Sequence, residues 1–461
     1  MRYLIAAHTD VGIKKKTNQD SYMIKEAQTK MGRIFFGVLC DGMGGLSNGE
    51  LASATVIRAM EQWFETDFPQ LLVHTTDAEE ELRWERYLYH ALGNKKYVAY
   101  VGTYTYGTSK GIQVYDVDVE NGKLIERSEV NVSNASHTAV SKNGKYLYSI
   151  EDEGVAVFKR DENGDLVRIN SVGIDGMRGC FLATDVDGRY LYVAGYHDGK
   201  VTVVHTHKDG SLGRIMDGVF HKGLGSVAER NFRPHVNCVR PTPDNKYLCA
   251  VDNGIDQVKI YRINKRRHKL ELVDILRCPR ESGPRIIRFS ADGKYAYILF
   301  ELSNEIKVYS YDGSGNNPEF ELLQSVSTLS KQHDKDAIHN AASGLALAPD
   351  GKHLFCTTAG ENTVSMYEID AETGLLEKKF TLPISGDYPK DIVIFPDNQH
   401  IAVANHASNT ITTFKVDYEK NIIVMNDKPH KIETPNSIHM WPVPQDFEPV
   451  KPLSDEEYDE Q

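Results

Sequence analysis

A hairpin signal that returns six times along the chain constrains the fold more than any other feature. It reads NGKYLY at Asn143, DGRYLY at Asp187, DNKYLC at Asp244, DGKYAY at Asp292, DGKHLF at Asp350 and DNQHIA at Asp397. An Asx residue followed by Gly or Asn supplies the tight turn between two strands. A further strand follows each turn, and one copy stands before the first. These strands are GIQVYDVD at Gly111, GVAVFKRD at Gly154, GKVTVVHT at Gly199, QVKIYRIN at Gln257, EIKVYSYD at Glu305, TVSMYEID at Thr363 and TITTFKVD at Thr410. Their alternating apolar residues suit half-buried strands, and no 3.6-residue period lies between them. Four short strands per repeat of roughly 40–50 residues describe a propeller blade, whereas a β-helix repeats at much shorter spacing and a sandwich rarely carries seven phased copies. The chain is therefore predicted to be all-β, with a seven-bladed β-propeller over residues 93–443. Blade one has no hairpin of its own and begins directly with KKYVAYVGTYTYG. A C-terminal strand at about 436–443 is expected to complete it, which joins the ends of the ring and removes exposed edges.

The flanks read differently. Residues 1–92 open on a strand-like stretch and a turn, pass through FFGVLCDGMGG, and continue into an amphipathic pattern predicted to be helical over about 48–64. This is a small, incomplete α/β segment. Residues 444–461 end in LSDEEYDEQ, an acidic stretch expected to be disordered. Such a division agrees with a length of 461 residues, beyond the size at which one core usually stops growing. Apolar runs fall far short of the roughly 20 residues that cross a bilayer, and Met1 opens no apolar signal region. A cytoplasmic monomer without membrane contact is expected. The net charge of -12 argues against non-specific nucleic-acid binding. The cysteines Cys40, Cys180, Cys238, Cys249, Cys278 and Cys356 show no CxxC or CxxH spacing, so neither a disulfide framework nor a zinc site is expected.

Propellers place function at a mouth of the ring, where loops from every blade converge. Counting outward from each turn predicts which residues meet at the far end of its hairpin. Arg285 is paired with Glu301, Lys390 with His406, His137 with Glu151, Arg178 with His197, and His235 with Asp252 or Asn253. All fall on one face. Cations, histidines and a carboxylate converging there on an otherwise acidic protein suit a small anionic substrate and acid–base chemistry.

About 350 residues of the chain resemble the lactonase family of bacterial 6-phosphogluconolactonases and the related fungal carboxymuconate lactonising enzymes. The likeness is carried by YVGTYTYGTSKGIQVYDVD at Tyr100, NFRPHVNCVRPTPDNKYLCAVDNGIDQVKIY at Asn231, SGPRIIRFSADGKYAYILFELSNEIKVY at Ser282 and FPDNQHIAVANHASNTITTFKVD at Phe395. The resemblance places the family's site histidine on His235, its GPR arginine on Arg285 and its glutamate on Glu301. It implies hydrolysis of a sugar-acid lactone, with 6-phospho-D-glucono-1,5-lactone the leading substrate. Glu301 or His235 would serve as general base and Arg285 as oxyanion donor or anion clamp. Arg178, Arg230, Lys390 and His406 are the candidate substrate-binding residues. The propeller is expected to need no cofactor. Relatives often carry histidines where this chain has Asn237 and Ile286, and an arginine where it has Ala359. Another acidic lactone, or a ring that binds without turnover, fits the same residues.

A second resemblance concerns the first 92 residues. TNQDSY at Thr17 and CDGMGGLSNGELAS at Cys40 are similar to early motifs of the type 2C metal-dependent Ser/Thr protein phosphatases. That likeness implies Asp20, Asp41 and the Gly42 carbonyl as ligands for Mg²⁺ or Mn²⁺, hard cations that take oxygen ligands. The segment ends before the further aspartates that the family requires, and Lys15 stands where the family has an arginine.

Overall fold

The computed structural model describes residues 21–29, 32–40, 57, 58, 60, 97–226, 231–315, 317–330 and 340–443. The chain divides into two compact units, Met1–Asn94 and Lys95–Gln461. In the first, Ser21–Thr29 and Gly32–Cys40 form an antiparallel hairpin with Ser21 opposite Cys40. Ile57, Arg58 and Met60 are helical, within the stretch expected to be a helix. Asp20, Asp41 and Gly42 lie outside the described residues.

The second unit is a seven-bladed β-propeller. Each blade is an antiparallel sheet of four strands running outward from the channel, and blade seven adds a short fifth strand, His430–Lys431, against Thr410–Asp417. The recurring sequence signal owes its form to the turn at its centre. Gly144, Gly188, Gly293 and Gly351 sit at φ of 70–73°, where a Cβ is strained, and the DN copies put Asn245 and Asn398 at 55° and 59°. Asn is among the few L-residues that visit this region readily. The preceding Asx side chain accepts from the amide two residues on, as in Lys294 N to Asp292 Oδ1 at 3.1 Å and Lys352 N to Asp350 Oδ1 at 2.9 Å.

Burial is greatest one strand in from the channel and falls outward from there. The second strands of blades four and seven, Tyr247–Asp252 and His400–Asn405, are buried at every residue, whereas the outermost strands, such as Lys123–Asn131, are largely exposed. Apolar side chains of successive sheets meet face to face. One such cluster runs from Phe181 in blade three through Val239 and Tyr247 in blade four to Ile298 in blade five.

The ring closes as the sequence predicts. Pro435–Pro442 is the innermost strand of blade one and pairs antiparallel with Tyr97–Thr103, Val101 opposite Ile438. A buried arginine from blade two clamps the joint. Arg160, 2% exposed, donates from Nε to Tyr100 Oη at 2.8 Å and from Nη2 to the Pro442 carbonyl at 2.7 Å, and its Nη1 donates to the Gly144 carbonyl.

Candidate functional site at the channel mouth

Four consecutive blades share a device that aims side chains into the channel. The innermost strand of each is irregular near its start: between Val236 and Cys238 in blade four, Pro284 and Ile286 in blade five, Ala342 and Leu345 in blade six, and Pro389 and Asp391 in blade seven. The residues left out of the ladder are Asn237, Arg285, Ser343 with Gly344, and Lys390. A bulge of this kind redirects a side chain without breaking the sheet. Asn237, Arg285, Ser343 and Lys390 all line one cavity of about 360 Å³ at the mouth.

Arg285 and Glu301 both line that cavity. Arg285 Nη1 donates to Glu301 Oε2 at 2.6 Å, and its Nε donates to the Ser343 carbonyl at 3.0 Å. Glu301, with its side chain 8% exposed, also accepts from Asn253 Nδ2 at 3.2 Å. Burial works against the charge on Arg285, but the Glu301 carboxylate outweighs it and raises the pKa above the usual arginine value. The GPR glycine is required here. Gly283 sits at φ +60°, and a Cβ on it would come within 2.7 Å of Leu302 Cγ and 3.0 Å of Asn253 Nδ2.

Other expected residues stand behind the wall. The imidazole of His235 is buried, donates from Nδ1 to the Tyr196 carbonyl at 2.7 Å, and stacks on the Tyr196 ring at 4.3 Å. Tyr196, not His235, lines the cavity. The backbone neighbours expected for His235 are found: Asp252 Oδ1 accepts from His235 N at 2.8 Å. Arg178 lies over the Tyr104 ring at 5.1 Å and donates to Tyr106 Oη at 3.3 Å. His406 meets the same Tyr104 ring edge-on at 5.8 Å, and its pKa is lowered by burial and by Lys390. Arg230 falls outside the described residues.

The pairing of His137 with Glu151 needs correction. Their strands do pair, with Ile150 N donating to the His137 carbonyl, but the side chains part. Glu151 turns to the outermost strand and forms a bidentate pair with Arg168 at 2.7 and 2.6 Å, whereas the His137 ring enters the channel 4.2 Å from Phe181. Register fixes which backbones are neighbours. Alternation then sends adjacent side chains to opposite faces.

Counting from the turns does not reach every wall residue. Tyr104, Tyr388, Asp391 and Arg288 line the cavity without being expected there, and His197, expected on this face beside Arg178, lines it too. His197 is held below its usual pKa by burial and by Arg178, which favours the neutral imidazole. Burial pushes the Asp391 carboxyl up to about 6. It also pushes the Cys180 thiol up to about 12, so the one thiol on the wall is protonated and no nucleophile. The cavity thus combines three cationic side chains, Arg285, Arg288 and Lys390, with the carboxyl groups of Glu301 and Asp391. Such a wall has the chemistry to receive a small anion beside a carboxylate.

Fold and site together define a propeller with a polar, ligand-sized cavity at one mouth of its channel. The family described as lactonase, 7-bladed beta-propeller, matches residues 98–440, and the chain belongs to it. A 6-phosphogluconolactonase of Bacillus subtilis is 33% identical over 304 residues, which cover 65% of this chain and 85% of the relative. Among solved structures, a periplasmic gluconolactonase of Pseudomonas aeruginosa is similar at a TM-score of 0.71 and 27% identity, covering 76% of this chain and all of the other. A Lactobacillus plantarum protein is similar at a TM-score of 0.68 and 27% identity, over 75% and 99% of the two chains.

Proposed function

We propose that this protein hydrolyses the lactone of a sugar acid, with 6-phospho-D-glucono-1,5-lactone as substrate and 6-phosphogluconate as product. The observation that carries the reading is the Arg285–Glu301 pair at 2.6 Å in the wall of a ligand-sized cavity. In this scheme the carbonyl oxygen of the lactone approaches the Arg285 guanidinium, which takes up the charge that grows on it. Glu301 removes a proton from water as the water oxygen bonds to the carbonyl carbon. The bond from that carbon to the ring oxygen then breaks, and the proton passes to the ring oxygen to leave an open-chain hydroxy acid. Glu301 is preferred over His235 as the base because its carboxylate lies on the cavity and His235 stands behind Tyr196. Arg178, Lys390 and His406 shape the entrance, the first and last through Tyr104. Action as a cytoplasmic monomer on a small anionic lactone, without a cofactor, belongs to the same proposal.

The names of the relatives differ in whether the lactone is phosphorylated. Acid release in a pH-stat from 6-phospho-D-glucono-1,5-lactone and from D-glucono-1,5-lactone tests the substrate. The proposal expects faster opening of both than the spontaneous rate, with the phosphorylated lactone preferred. Preference for the unphosphorylated lactone refutes the finer assignment. Uptake of sugar phosphate without any turnover makes the ring a binding propeller instead. The match to the lactonase family begins at residue 98, so the phosphatase resemblance of residues 1–92 gains no support from it.

A further inference from the structure

Below the Arg285–Glu301 pair the channel holds two arginines that the proposed hydrolysis does not use. Arg240 and Arg288 occupy the same place in adjacent blades, each three residues beyond the bulged residue of its innermost strand: Asn237 in blade four and Arg285 in blade five. Their guanidinium carbons lie 5.6 and 6.0 Å from the centroid of one ring, that of Phe181. Arg288 and Phe181 line the floor of the cavity.

The two cations are offset only in part, by the Asp391 carboxyl on the same wall and, for Arg288, by a bond to Cys238. Among the described residues neither guanidinium is in an ion pair, and the hydrogen bond Arg288 makes to backbone runs from Nη1 to the Ile287 carbonyl at 3.2 Å. Arg240 Nε and Asn237 Nδ2 are buried donors with no hydrogen-bond partner. Burial and the charge on Arg240 hold Arg288 down to about 10. The neighbours feel the same excess. Burial, aided by Arg288 and Arg240, pushes His439 down to about 3 and His137 well below its usual value, so both face the floor as neutral rings. Asp391 is the carboxyl nearest this charge, and its oxygens accept from Ile438 N and Ile392 N at 3.0 Å each. Unpaired cations and orphaned donors in a partly dehydrated channel are costly unless an anion satisfies them.

We infer that Arg240, Arg288 and the Asn237 side-chain amide form an anion subsite beneath the reacting centre, which takes the phosphate monoester of the substrate. Guanidinium groups suit it because their fork of donors matches phosphate oxygens. The lactone ring then stands above, at the level of Arg285 and Glu301. The inference rests on the lactonase reading for its substrate but not for its anion. A phosphate so placed also raises the pKa of His137 and His439, because it cancels the charges that depress them.

Inorganic phosphate is the probe. Titration calorimetry on the full chain is expected to show saturable binding, weakened at least tenfold by Arg288→Met and by Arg240→Met. Phosphate should raise the thermal midpoint of the wild type and not that of either variant. Without phosphate the variants should melt no lower than the wild type, since each loses an unpaired cation, and this separates lost binding from lost folding. In the kinetic arm, kcat/KM for 6-phospho-D-glucono-1,5-lactone should fall at least tenfold more than kcat/KM for D-glucono-1,5-lactone. Phosphate binding that is absent from the wild type, or equal in wild type and variants, overturns the subsite. Equal losses on both lactones overturn its assignment to the phosphate ester. A wild type that opens no lactone defeats the proposed function, and the phosphate titration still decides the subsite.

Discussion

Replacing Arg285 by Met separates what the Arg285–Glu301 pair does for catalysis from what it does for stability. The substitution keeps the length of the side chain and removes the guanidinium. Loss of an oxyanion donor costs about 10²–10³ in rate, or roughly 3–4 kcal/mol. It also takes the 2.6 Å guanidinium partner from a carboxylate whose side chain is 8% exposed and which Asn253 Nδ2 also reaches at 3.2 Å. Breaking a buried pair from one side costs about 3–5 kcal/mol. The open cavity admits water, so the lower end, about 3 kcal/mol, is expected here. Adding Glu301→Gln removes the charge that Arg285 offset. The double variant should recover about 2 kcal/mol in urea denaturation, since removing both partners of a buried pair costs far less than removing one. Activity should not recover, because residues acting as one unit are non-additive and the double variant should be about as slow as the slower single one. A double variant no more stable than Arg285→Met would show that the pair is not a coupled buried unit. Full activity in Arg285→Met would remove the arginine from the mechanism.

Two further outcomes concern the frame around the site. Arg160→Met takes the clamp from the closing strand and leaves buried acceptors unpaired, which should cost about 3 kcal/mol and lower the thermal midpoint by about 5 °C by calorimetry. Arg127→Met, which loses the 2.7 and 2.8 Å pairs to Asp116 and Asp165 among half-exposed carboxylates, should cost less than about 1 kcal/mol. Equal costs would contradict the role of Arg160 in closure. Asp391→Asn should stabilise the protein in a pH-dependent way. The folded carboxyl titrates at about 6 against an ordinary 3.8, so its contribution is present below pH 4 and is lost as pH rises through 6. Urea denaturation should therefore show a gain approaching about 3 kcal/mol at pH 7.5 and none at pH 3.5. An equal gain at both pH values would show that Asp391 is not held up by burial.

Much of this architecture is legible in the sequence because β-structure is periodic. Seven phased strands, the turn residues that accept positive φ, and the missing inner strand of blade one lead to the ring and its closure without coordinates. Counting from the turn at Gly293 also brings Arg285 to Glu301. The site beyond that pair is less legible for a physical reason. A single extra residue in a strand reverses which face the following side chains take. The irregularities at Asn237, Arg285, Ser343 and Lys390 leave no mark in the apolar alternation, yet they decide what lines the cavity. His235 illustrates the limit. Its backbone position follows from hairpin symmetry, but its stacking on Tyr196 depends on a loop of the preceding blade. Glu151 departs from its expected place beside His137 because pairing alone says nothing of side-chain direction. Arg240 and Arg288 do leave a mark in the sequence: they stand at equivalent positions of adjacent repeats, where charge at an inner strand is unexpected. The described residues do not reach Asp20, Asp41, Gly42 or Arg230.

The central claim is that the buried Glu301 carboxylate, set by Arg285, opens a lactone. Its most direct test is the rate of acid release from 6-phospho-D-glucono-1,5-lactone with the wild-type protein and with Glu301→Gln, each corrected for spontaneous opening. The wild type should accelerate opening, and the variant should lose about 10²-fold or more of that acceleration, the usual contribution of a positioned general base. A wild type no faster than buffer, or a variant as fast as the wild type, contradicts the account.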